Sequence, residues 1–284
     1  MEETVLQLYP LPAGEIPLKN LYLGHQLRER SQRAGRPLVY GNFITSLDGR
    51  IAIPRPKGAG LMVPEQIANP RDWRLFQELA AHADILIASG RYLREYAEGP
   101  AQEILDMADD PHFRDLAAWR MAQGLPPQPV IAVISRSLDF SIPEGLIEAG
   151  RTLVILTAGS ADSKRRKALE DQGGMVVVAG EAQVEGRRML ERLAGLGYRT
   201  VYSAAGPKVM HMLLAAGLLD RLYLTVACRT LGGDPYASIV EGALLDPPSE
   251  FELASLYYDP EALEGVGQLL LSYDRARPTR RQGA

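Results

Sequence analysis

Short apolar runs alternate with helical segments through most of this chain, and that alternation constrains its fold more than any other feature. "DILIAS" (84–89), "PVIAVIS" (129–135), "RTLVILT" (151–157) and "MVVVAG" (175–180) have the length and composition of buried strands. "PLVYGNFIT" (37–45) precedes them, and "YRTVYSAAGPKVMHMLLAAGLLDRLYLTVA" follows as strand, small-residue turn, helix and strand. Between them lie helices. In "NPRDWRLFQELAAHA", Asn69 caps, Pro70 occupies the first turn, and Trp73, Phe76, Leu79 and Ala80 share a face. Residues 161–172 and 184–195 read as further helices, the second with Val184, Met189, Leu190 and Leu193 turned to the core. Such alternation specifies an α/β fold with a largely parallel sheet. The last strands, "FELASLYYD" and "GVGQLLLSYD", have no helix between them and read as an antiparallel pair at its end.

The flanks divide the chain into an N-terminal extension (1–36), a main domain (37–275) and a basic tail (276–284). In the extension "YPLPAGEIP" is turn-rich, and the next segment reads as a short helix ended by Gly35 and Pro37. Residues 100–124 read as a helix interrupted at Pro111.

A net charge of -4 argues against a nucleic-acid partner. Cys228 is the single cysteine, so no disulfide forms within the chain and a reducing compartment is expected. The first residues lack a signal-peptide pattern and no apolar run has membrane-spanning length, so a cytoplasmic protein is expected. His25, His82, His112 and His211 share no metal-ligand spacing. The motifs of zinc deaminases, P-loops, dinucleotide-binding glycine fingerprints and nucleophile elbows are absent. Chemistry here is expected to use a bound organic cofactor and no metal.

In open α/β sheets, ligands sit beyond the C-terminal ends of the strands. Four such ends carry informative residues. Thr45-Ser46-Leu47-Asp48-Gly49 is either a plain Asp-Gly turn or a ligand-facing one. Ser89-Gly90-Arg91 combines small residues with a helix start, and Ser203-Ala204-Ala205-Gly206-Pro207 does the same. Either run suits close strand–helix packing or an approaching phosphate. Ser135-Arg136 offers a hydroxyl and a guanidinium to a phosphate or to solvent, with Thr157 and Lys164 nearby in the pattern. "SKRRK" (163–167) reads as a solvated helix face.

Taken in order, these segments resemble one family. "NFITSLDGRIA", "LAAHADILIASGR" and "AAGPKVMHMLLAAGLLDRLYLTVACRTLGG" are similar to the reductase domain of bifunctional riboflavin-biosynthesis deaminase–reductases, over residues 37–275. The resemblance implies a three-layer, dihydrofolate-reductase-like sheet, mostly parallel with antiparallel C-terminal strands. It implies NADPH as cofactor, a phosphorylated pyrimidine as small-molecule substrate, hydride transfer to a ribosyl C1′, and a homodimer. By carry-over, Ser46 and Asp48 would face nicotinamide and substrate, beside Thr45. Ala205, Gly206 and Pro207 would line the pyrophosphate, and Ser89 and Gly90 would support the cofactor. Ser135 and Arg136, with Thr157, would stand near the adenosine 2′-phosphate.

The chain also departs from the family. Glu-Gly-Gly-Pro reads Ala204-Ala205-Gly206-Pro207 here, and the Thr and Asp downstream of the "ILIA" strand have no counterpart. A reductase of another pyrimidine, a pterin or a carbonyl compound therefore stays open, as does a nucleotide-binding homologue without turnover.

Overall fold

The computed structural model describes residues 3–56, 60–97 and 111–276. The chain begins with β1 (Thr4–Tyr9), β2 (Gly14–Pro17), α1 (Leu27–Ala34), β3 (Leu38–Ser46), β4 (Ile53–Pro54) and β5 (Leu61–Met62). It continues through α2 (Pro70–His82), β6 (Ile85–Ser89), α3 (Gly90–Ala97), α4 (Arg114–Ala122), β7 (Val130–Ile134), α5 (Glu144–Glu148) and β8 (Leu153–Thr157). After these come α6 (Ser163–Asp171), β9 (Met175–Val178), α7 (Gly186–Gly195), β10 (Thr200–Ser203), α8 (Pro207–Ala215), β11 (Arg221–Ala227), β12 (Phe251–Asp259) and β13 (Gln268–Arg275).

One 11-stranded sheet runs in the order β2-β1-β12-β13-β11-β3-β10-β6-β7-β8-β9. From β11 to β9 every pairing is parallel, and β13, β12, β1 and β2 extend it antiparallel. This is the mixed sheet expected from the sequence. Helices cover both faces of its parallel part, which is why those strands read as unbroken apolar runs. Tyr40, Leu86, Ile131, Ile155 and Tyr202 pack against Leu75 and Leu79 of α2, Leu146 of α5 and Leu169 of α6. Val39, Ile85, Ile87, Val154 and Val201 face the other way, onto Met189 and Leu193 of α7 and Met210 and Leu213 of α8. Successive residues thus serve opposite cores.

Helix α2 positions the site. Asn69 accepts the backbone N–H of Asp72 at 3.0 Å, so the helix begins where the cap residue dictates. At its far end the buried Arg120 guanidinium donates to the carbonyls of Ala81 and Ala83, both at 2.8 Å. A cation on the free carbonyls of a helix C-terminus satisfies groups that would otherwise be buried unpaired. Burial lowers the Arg120 pKa to about 10.

The N-terminal segment differs from its reading. Residues 4–17 form two strands, and β1 pairs with β12. The expected helix is a 3₁₀ turn (Leu23–His25) followed by α1, ended by Gly35 at φ +64°. Buried Glu78 fastens this segment to α2, accepting the N–H groups of Asn20 (2.6 Å) and Tyr22 (2.9 Å) and Arg74 Nε (2.9 Å). The region 100–124 lies partly outside the described residues; within them a 3₁₀ turn at Pro111–Phe113 leads into α4.

The antiparallel strands show an inverted polarity. Their helix-facing side carries Gln268, Leu270, Ser272, Ser255, Tyr257, Asp259, Arg221, Tyr223 and Thr225, all buried. The opposite side carries Leu224, Val226, Leu269, Leu271, Leu256 and Tyr258, all half-open. Cross-strand register aligns Leu224 with Leu271 and Leu271 with Leu256, and likewise Val226 with Leu269 and Leu269 with Tyr258. A solvated sheet face ordinarily bears the polar residues; here it bears the apolar ones.

Candidate active site

Because β11 through β9 are parallel, their C-terminal ends form one rim. There β3 runs past its neighbour: Ser203 at the end of β10 pairs with Gly41, while β3 continues to Ser46. The Asp48-Gly49 turn closes that extension. Gly49 adopts φ +81°, which favours glycine, and its N–H donates to Ser46 O at 3.0 Å. The turn opens no hairpin with β4; that short strand pairs with β5.

The Asp48 carboxylate is fully engaged. It accepts the Ser46 hydroxyl, the N–H of Leu231 (3.2 Å) and the N–H of Gly232 (2.8 Å), and it pairs with Arg50 at 2.9 Å. The Ser46 hydroxyl, the Gly232 N–H and the Arg50 charge hold its pKa down at about 2. Arg50 also lies over the Tyr236 ring at 4.3 Å. Ser46 and Asp48 therefore hold the segment after β11 onto the end of β3. Thr45 is buried beside them, its hydroxyl directed to Ser46 O.

The turn between β10 and α8 resolves the Ala-for-Gly departure. Ala205 is 4% exposed and its methyl packs into the core shared by α7 and α8. Gly206 caps α8, with Pro207 in the first turn, and a Cβ added at Gly206 would meet nothing within 4 Å. The side open to a ligand is thus the glycine, and the added methyl points inward. The buried Ser203 hydroxyl, just before this turn, has no hydrogen-bond partner among the described residues.

Further along the rim, Ser89 closes β6 and Gly90 opens α3. The Ser89 side chain lies outside the described atoms. The Ser135 hydroxyl accepts the Leu138 N–H at 3.0 Å and keeps its own proton to donate. Arg136 is exposed and makes no ion pair among the described residues. Arg165 of the basic helix α6 donates to Ser137 O at 2.9 Å, tying that helix to the loop. A cavity of about 390 Å³ opens between them, lined by Asp139, Phe140, Arg165 and Gln172 among others. Thr157, at the end of β8, is buried and its hydroxyl has no hydrogen-bond partner among the described residues, and Lys164 is exposed. No group of three or more potential metal-ligating side chains occurs among the described residues.

One residue escaped the sequence reading. Asp72, in the first turn of α2, accepts the Thr225 hydroxyl of β11 at 2.6 Å. Protein surrounds it, yet part of its surface stays open. Burial raises its pKa to about 6, with the Thr225 hydroxyl opposing. The shift runs against the favourable field of a helix N-terminus, so desolvation is the larger effect. Half-open Asn42, Trp73 and Phe76 occupy the same face. Trp73 and Phe76 stack at 4.8 Å, and the Tyr202 hydroxyl donates to Asn42 Oδ1 at 2.5 Å.

This architecture, a mostly parallel sheet rimmed by a small-residue helix start and extended by antiparallel C-terminal strands, defines the mixed α/β class expected from the sequence. Residues 37–262 match the RibD C-terminal domain, and the chain belongs to that family, the reductase family of riboflavin biosynthesis. A curated relative from Methanothermobacter thermautotrophicus is a 2,5-diamino-6-ribosylamino-4(3H)-pyrimidinone 5′-phosphate reductase. It is 24% identical over 211 residues, covering 74% of this chain and 87% of that protein. A pyrimidine reductase-like protein of Corynebacterium diphtheriae has a TM-score of 0.67 at 21% identity, covering 92% of this chain and 100% of that one. The riboflavin biosynthesis reductase Rib7 of Saccharomyces cerevisiae has a TM-score of 0.54 at 15% identity, covering 89% and 99%.

Proposed function

We propose that this protein is an NADPH-dependent reductase acting on a phosphorylated ribosylaminopyrimidine, with hydride delivered to ribosyl C1′. The observation that carries the reading is the β10–α8 turn, where Gly206 leaves room against the backbone and the Ala205 methyl is buried. A pyrophosphate fits such a turn because helix N-terminal N–H groups and the helix dipole favour its charge. Pro207 shapes that turn, and Ser89 and Gly90 flank it on the neighbouring strand. Arg136, with no carboxylate partner among the described residues, suits the adenosine 2′-phosphate, with the Ser135 and Thr157 hydroxyls toward the same end.

When bound, the reduced nicotinamide supplies the hydride. The chain's own residues orient it. Thr45, Ser46 and Asp48 build the floor at the nicotinamide end, and the clamp on Leu231 and Gly232 fixes the segment after β11 to that floor.

Quenching of tryptophan and tyrosine fluorescence by NADPH tests the cofactor. NADPH oxidation with each of two substrates tests the reaction: 5-amino-6-(5-phosphoribosylamino)uracil and 2,5-diamino-6-ribosylamino-4(3H)-pyrimidinone 5′-phosphate. Saturable quenching with turnover of either is expected. No quenching at millimolar NADPH would overturn the reading.

A homodimer is the companion proposal. Its support is the inverted polarity of β11, β13 and β12, whose charge-free apolar rows suit face-to-face packing with a second copy.

A further inference from the structure

We propose that Asp72 is the proton donor of the reaction, held in place by Thr225; this rests on the reductase reading. Four deeply set carboxylates each have a guanidinium: Glu78 has Arg74, Asp84 has Arg28, Asp259 has Arg71 and Asp274 has Arg221. Asp72 has a single hydroxyl at 2.6 Å and no ion pair among the described residues. A buried carboxylate without a cation is costly, so such a group is kept as a carboxylic acid or retained for chemistry.

Its surroundings leave the proton in place. On its own helix, Arg71 turns to Asp259, and Arg74 turns to Glu78 and Asp115. On β11, Arg221 is bound by Asp274, and Tyr223 stays neutral because burial raises its pKa to about 12. Tyr202 of β10 and Tyr22 of the N-terminal segment are likewise held neutral by burial. Asn42, Trp73 and Phe76, on the same face, are half-open.

Reduction of a ribosylamine consumes one proton besides the hydride. The C1′–O4′ bond breaks with its electron pair passing to O4′, which takes the Asp72 proton. The nitrogen lone pair forms a C1′=N bond. Hydride from the reduced nicotinamide then adds to C1′, and the π pair returns to nitrogen. Asp72 is left as carboxylate and regains a proton from water. The family's acidic residue before its glycine pair is Ala204 here, and Asp72 supplies a carboxyl from α2, on the face of the sheet that Ala204 also packs against.

Asp72→Asn is expected to lower kcat about 100-fold while leaving NADPH quenching unchanged. In the wild type kcat is expected to fall as pH rises through about 6, and in the variant that limb should be absent. Thr225→Val removes a bond to the charged form, so the limb moves to higher pH. A kcat within about threefold of wild type, or a limb that survives in Asp72→Asn, overturns the assignment.

An arm without turnover separates this proposal from the reductase reading. The folded carboxyl lies above its unfolded value of 3.8. Its stabilisation is therefore present at low pH and lost as pH rises from about 4 to about 6. Asp72→Asn should melt higher than wild type at pH 7.5 and not at pH 4. Equal melting shifts at both pH values overturn the assignment even in an active enzyme. If wild type neither binds nor oxidises NADPH while this pattern holds, the reductase reading fails and the donor role falls with it.

Discussion

Asp48 holds the backbone N–H of Gly232 at 2.8 Å, across 184 positions of chain. The same carboxylate takes the Leu231 N–H and the Ser46 hydroxyl. One side chain thereby ties the end of the first parallel strand to the segment that follows β11. Asp48→Ala should raise amide exchange at Leu231 and Gly232 at least tenfold and lower kcat more than NADPH affinity. Because the folded pKa is about 2, below the unfolded 3.8, the protection is present above pH 4 and lost as pH falls toward 2. Unchanged exchange at Leu231 and Gly232 in the variant would refute the clamp.

Arg136 is exposed and pairs with no carboxylate among the described residues, so Arg136→Ala should leave stability within about 0.5 kcal/mol. NADPH affinity should drop about tenfold or more while NADH affinity stays the same. Equal loss for both dinucleotides would rule out the 2′-phosphate role.

Gly206 has ordinary backbone geometry, φ -70°, and open space where a side chain would go. Gly206→Val should therefore fold normally by circular dichroism yet fail to quench with NADPH. Normal cofactor binding by a well-folded variant would place the pyrophosphate elsewhere.

Leu271 lies in one of the two apolar rows on the open sheet face. If that face joins two copies, wild type sediments as a dimer and Leu271→Asp as a monomer with an intact far-ultraviolet spectrum. A monomeric wild type at micromolar concentration would remove the dimer proposal.

The parallel strands were legible because helices bury both of their faces, so each reads as an apolar run between helix signals. Asn69 and Pro70 announced the start of α2 equally well. The strands at 4–17 were not legible: short, proline-flanked and half polar, they take their structure from pairing with β12 rather than from local pattern. The Asp48-Gly49 turn was visible, but its partners were not, since Leu231 and Gly232 offer only main-chain N–H groups. Asp72 was hidden for a different reason. An acid in the first turn of a helix is the ordinary complement to the helix dipole, and only the fold brings Thr225 to it and withholds a cation.

The direction of the outer strands decides where an attachment to either of them would stand. Thr4 starts β1 at the ligand rim, where its carbonyl accepts Arg71 at 2.7 Å, whereas Arg275 finishes β13 beside Asp220 at the opposite edge. A strand of this length spans roughly 30 Å. A label, bead or fused domain attached behind Arg275 would stand that far below the rim, whereas one attached ahead of Thr4 would stand at rim level, five strands away from β10 in the sheet order.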